Sequence, residues 1–142
     1  MKRYEFRAEK VLRIRRLQED MARAAVAGAR RDEDVAQARV DASQRRYSAL
    51  SMTAPAQSSA AFLMAREQVG HRAGAVTVAR QLHQAAAEAT AEALSSWHDA
   101  NRKVQGLERL DERRRADHHV EVRRDEDAQA DEISVSRARR AS

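Results

Sequence analysis

The chain has no cysteine, one proline, four glycines and an aromatic content of only 4%. Without cysteine, disulfides and thiolate chemistry are excluded, and a zinc site would have to be built from His and carboxylates alone. No apolar run approaches the ~20 residues that span a bilayer. The opening Met1-Lys2-Arg3-Tyr4-Glu5-Phe6-Arg7 lacks the apolar core of a secretion signal, so the expected compartment is the cytoplasm. The nucleotide-binding loops Gly-x-x-x-x-Gly-Lys-Ser/Thr and Gly-x-Gly-x-x-Gly are both missing, as is the nucleophile elbow Gly-x-Ser-x-Gly. So few large apolar side chains, with 35% of residues charged, argue against a compact globule.

What the chain does have is alanine and a 3.5-residue apolar repeat. Scarce glycine and abundant alanine favour long helices on propensity alone. One stripe runs Ile14, Leu17, Met21, Ala24, Gly28, Arg31, Val35, Ala38, Ala42, Arg45, Ala49, Met52. A second runs Phe62, Ala65, Val69, Arg72, Val76, Ala79, His83, Ala86, Thr90, Ala93, Trp97, Ala100, Val104, Leu107. Steps of three and four alternate throughout, which is the signature of a coiled-coil seam. Pro55, in Thr53-Ala54-Pro55-Ala56-Gln57-Ser58-Ser59, breaks the pattern where the chain could reverse.

The expected fold is therefore all-α, a long antiparallel two-helix coiled-coil hairpin forming a single domain over residues 1–142. The first helix is expected over about 9–52, on the order of 65 Å long. A connector follows at 53–60, then a second helix at 61–127 and a polar, fraying tail at 128–142. Ser58 or Ser59 is the expected N-cap of the second helix. Gly28 is read as a seam position that permits close backbone approach. A seam lined by alanine buries little area per residue, so modest stability is expected.

The net charge of +5 is unevenly placed. Residues 1–52 hold 13 basic and 8 acidic side chains, residues 53–110 hold 6 and 5, and residues 111–142 hold 8 and 9. The cluster Arg13, Arg15 and Arg16 is the strongest electrostatic feature of the first arm. It reads as a solvated face or as a docking site for an acidic protein surface. DNA binding is the weaker reading, since no aromatic residues interleave with the cluster and acidic residues stay close by. His118 and His119, with Asp117 and Glu121, do not share a helix face and read as solvated, not as metal ligands. Trp97 reads as a structural anchor of the seam, with a partner-binding aromatic as the alternative. Arg31, Arg45 and Arg72 are expected to snorkel from the seams to solvent. A long hairpin without a reactive cleft favours a binding or mechanical role over catalysis.

Three stretches carry a resemblance to a known family. The opening Phe6-Arg7, then Val11-Leu12-Arg13-Ile14-Arg15 and Glu19, is the first. Ala93-Leu94-Ser95-Ser96-Trp97 is the second, and Val104-Gln105-Gly106-Leu107-Glu108-Arg109-Leu110-Asp111-Glu112-Arg113 the third. Together they resemble the FliJ family, small components of the bacterial flagellar type III export apparatus that serve flagellum biogenesis, motility and chemotaxis. The resemblance implies a non-enzymatic, stalk-like coiled coil that needs no cofactor and is mainly monomeric in isolation. It implies binding to the hexameric flagellar export ATPase, contact with the membrane-embedded export gate, and cycling of export chaperones. It places the protein in the cytoplasm, peripheral at the cytoplasmic face of the inner membrane at the flagellar base. Arg13, Arg15, Arg16, Leu107, Leu110, Arg113 and Arg114 would then bind the ATPase, near the end where the termini lie. Glycine and alanine replace larger groups between Gly70 and Ala79, so no gate-contacting residue is carried over. An injectisome-type secretion stalk, a basic nucleic-acid-associated coiled coil and an oligomeric scaffold are the competing readings.

Overall fold

Alanine-rich sequence with few glycines propagates helix once nucleated. A computed structural model describes residues 4–50 and 58–141, and nearly all of them lie in two helices. These are α1, Glu9–Leu50, and α2, Ser59–Ala141. The fold is all-α, a hairpin in which the two helices pack against each other, with no strand among the described residues. Met52, Pro55 and the other connector residues up to Gln57 lie outside the described residues.

Ser58 caps α2. Its Oγ accepts a hydrogen bond from Ala61 N at 3.2 Å, and its carbonyl accepts the first helical bond from Phe62 N at 3.0 Å. At the other end α2 runs on to Ala141, where the sequence reading had ended the helix near 127. No glycine or proline follows Gly106, and mixed charges at helical spacing support an exposed helix. Ser134 Oγ donates back to the Ala130 carbonyl at 2.9 Å within this stretch.

The chain divides into two compact units. The first comprises Met1–Glu19 with Ala100–Ser142, and the second comprises Asp20–Asp99. In the first unit Phe6, Leu12 and Val104 form a buried cluster, with Tyr4, Ala8 and Leu107 packed around it. Tyr4 meets Asp111 while Leu12 meets Val104, so the two segments run antiparallel. Phe6 belongs to the non-helical lead-in, which is pinned to α1 by a hydrogen bond from Glu9 N to Phe6 O at 3.0 Å. In the second unit Val26, Ala36, Val40, Val76 and Ala79 are the buried apolar residues, and Thr90 is the buried polar one. Thr90 satisfies its hydroxyl by donating to the Ala86 carbonyl at 3.1 Å.

The α2 seam follows the expected stripe from Arg72 to Leu107. Val76, Ala79, Thr90 and Val104 are buried, and Arg72, His83, Ala86, Ala93, Trp97, Ala100 and Leu107 are half-buried. Arg72 does not simply snorkel, because its Nη1 donates to the Arg46 carbonyl at 2.7 Å. Phe62, Ala65 and Val69 are exposed.

The α1 seam is corrected. The residues that pack are Leu12, Arg15, Glu19, Ala22, Val26, Ala29, Glu33, Ala36, Val40 and Ser43, again in alternating steps of three and four. Every one lies two residues before an expected seam position. Two residues turn a helix by about 200°, so the expected stripe is the opposite face. Ile14, Leu17, Met21 and Val35 accordingly stand in solvent. Arg31 and Arg45 stand there too. Gly28 brings no backbone close, since a Cβ built on it would meet nothing within 4 Å.

Candidate functional site

The lead-in residues carry two of the chain's few aromatic rings, and apolar burial of Phe6 places Tyr4 over α2. Its hydroxyl donates to Asp111 Oδ1 at 2.7 Å. Asp111 accepts a second charge-assisted contact from Arg115 Nη2 at 2.9 Å, one helical turn on. The Arg115 guanidinium lies 5.7 Å from the centroid of the Tyr4 ring, and the His118 ring lies 5.6 Å from it on a tilt. Loss of water around the phenol, and then its bond to Asp111, push the Tyr4 pKa above its ordinary value, while Arg115 and Arg114 pull it back. These residues bind the lead-in to α2. Tyr4, Phe6, Glu9, Leu12, Arg16, Asp111 and Arg115 also line an open groove of about 610 Å³.

The residues expected to form a docking surface all fall in this first unit. Arg13 is exposed and lies 3.4 Å from Glu9 Oε1. Arg15 sits on the packed face of α1, half-buried, and its Nη1 donates to Gln18 Oε1 at 3.0 Å. Arg16 reaches across to α2, where its Nη2 stands 2.8 Å from Glu108 Oε1. Leu107 is half-buried against the Phe6–Leu12–Val104 cluster, while Leu110 is exposed one turn further. Arg113 and Arg114 are exposed on α2. The three arginines of the first arm therefore do not share one face: Arg15 packs inward, and Arg13 and Arg16 point outward on either side of it. The structure adds exposed apolar side chains beside them, Val11, Ile14 and Leu17.

Sequence reasoning did not find the Tyr4–Asp111–Arg115–His118 contacts. The available signal was the pair Tyr4 and Phe6, isolated aromatics ahead of a helix in a chain poor in aromatics. Among the described residues no group of His, Asp or Glu could hold a metal ion. No helix among them is long and apolar enough to cross a membrane. Trp97 lies half-buried on the α2 seam of the second unit, its ring 4.9 Å from that of His98.

No curated protein and no solved structure matches this chain. The family model described as flagellar FliJ protein matches residues 4–142. A match over nearly the whole length, on an all-α two-helix hairpin, means that the chain belongs to the flagellar FliJ family, whose members are components of flagellar protein export.

Proposed function

We propose that the chain binds and promotes the flagellar export ATPase through its first unit, links that ATPase to the export gate, and helps cycle export chaperones. It supplies no catalysis of its own in this reading. It is mainly monomeric in isolation and works in the cytoplasm, at the cytoplasmic face of the inner membrane at the flagellar base. The observation that carries the reading is what the first unit exposes. Arg13, Arg16, Arg113 and Arg114 are exposed in it, and so are Leu110, Ile14 and Leu17. Exposed cations beside exposed branched side chains suit an acidic protein surface with apolar pockets, where charge governs encounter and apolar contact holds the complex.

Leu107 and Arg15 have a different part in this scheme, since both face inward. They hold the surface in place instead of meeting the partner. The deciding experiment is ATP turnover by the purified cognate export ATPase with and without the chain. Stimulation that is lost in the Arg13→Ala, Arg16→Ala, Arg113→Ala variant supports the reading. Absence of both stimulation and co-elution with the wild-type chain overturns it.

A further inference from the structure

The second unit carries a surface that the ATPase reading does not use. Phe62, Leu63 and Met64 stand in the first turns of α2 with 59%, 63% and 69% of their surface exposed. Three consecutive residues spread over about 200° of a helix's circumference. A groove in a partner protein takes a single stripe at a spacing of three and four, not three neighbours in a row. Side chains fanned around a helix end instead fit an apolar medium that surrounds it.

The charge pattern points the same way. No charged residue stands between Arg46 and Arg66, in a chain that is 35% charged. Between Asp41 and Glu88 the sole carboxylate is Glu67, against Arg45, Arg46, Arg66, Arg72 and Arg80. Glu67 lies 3.8 Å from His71 on its own helix. Arg45, Arg46, Arg66 and Arg80 are all exposed. The charge-free apolar end is thus bordered by cations with almost no opposing charge. Anionic headgroups above an acyl region present the complementary arrangement.

We propose that the end of the second unit bearing Phe62, Leu63 and Met64 docks directly on an anionic lipid surface. The apolar side chains enter the headgroup–acyl boundary, and Arg45, Arg46 and Arg66 meet lipid phosphates. This contact is independent of the ATPase surface, which lies in the first unit.

The test is flotation of the full chain with vesicles of phosphatidylcholine alone, and with phosphatidylglycerol at about a third of the lipid. The expected result is binding to the anionic vesicles only, weakening as salt rises. Two variants should each bind at least about tenfold less: Phe62→Asn with Leu63→Asn, and Arg45→Gln with Arg46→Gln and Arg66→Gln. All these side chains are exposed, so circular dichroism and ATPase stimulation should be unchanged in both. No flotation with anionic vesicles, or equal flotation of the variants and the wild type, overturns the proposal. So does a dimer in sedimentation that Phe62→Asn, Leu63→Asn dissolves, since the surface would then belong to a second copy. Flotation of the wild-type chain, weakened in both variants, without any stimulation of the ATPase by the wild type would overturn the ATPase reading and leave this one standing.

Discussion

Tyr4 is the residue through which the lead-in is held to α2. Its hydroxyl donates to Asp111 and its ring faces Arg115 and His118. Tyr4→Phe keeps the ring and removes the donor, leaving Asp111 with Arg115 alone on the same helix. The variant should melt at a lower temperature than the wild type at neutral pH. Because the folded chain holds the Tyr4 pKa above the value of about 10 found in unfolded chains, the folded state favours the protonated phenol. That contribution is fully present below pH ~10 and is lost as pH rises through the folded-state value. The difference between the two proteins should therefore be constant from pH 7 to 9 and shrink above 10. Melts across that range check it, and a difference that grows with alkali would refute the hydrogen-bond account.

At the scale of the element, α1 shows where sequence reading succeeds and where it fails. Helix and cap were legible, because alanine content and a serine act locally, while the Pro55 connector lies outside the described residues. The α2 seam was legible from Arg72 to Leu107, where Val76, Trp97, Val104 and Leu107 lie on the packed face, but not at its start, where Phe62, Ala65 and Val69 are exposed. On α1 two stripes share the 3.5-residue period, on opposite faces. The one with the larger apolar groups, Ile14, Leu17, Met21 and Val35, faces out. The packed one includes Arg15, Glu19, Glu33 and Ser43. Periodicity alone carries no phase between two such stripes, and hydrophobicity chose the wrong one. The surface proposed for the ATPase was only half legible for the same reason: the sequence named its arginines but had Ile14 and Leu17 inside.

Two leucines separate the stripes experimentally. Leu12 is 6% exposed against Phe6 and Val104, while Leu17 is 61% exposed. Leu12→Ala should lower unfolding free energy by about 2–4 kcal/mol through lost burial and a residual cavity. Leu17→Ala should change it by less than about 0.5 kcal/mol. Urea unfolding of the two variants reads both figures, and a reversed order would restore the outer stripe as the seam. Gly28→Ala belongs to the same test. With open space where its Cβ would stand, alanine should stabilise α1 by roughly 0.5–1 kcal/mol.

For the whole molecule the governing quantity is how little it buries. The chain exposes 11866 Å², whereas a compact protein of 16.0 kDa exposes about 7,400 Å². Among the described residues no side chain is fully buried, and the core residues are mostly valine and alanine. Stability of such a chain is low in isolation and rises by mass action when a partner binds the folded form alone, by about 2.7 kcal/mol at a hundredfold excess over Kd. The melting temperature should therefore climb with the concentration of export ATPase. The increment should shrink with added salt, since Arg13, Arg16, Arg113 and Arg114 are exposed and screened. Substituting those four with alanine should remove most of the increment while leaving the melting temperature of the isolated chain within about 2 °C of the wild type. Differential scanning fluorimetry of the chain titrated with ATPase, at low and high salt, measures all three. An increment that persists undiminished in the variant would move the ATPase contact off the first unit's arginines and onto another face of the hairpin.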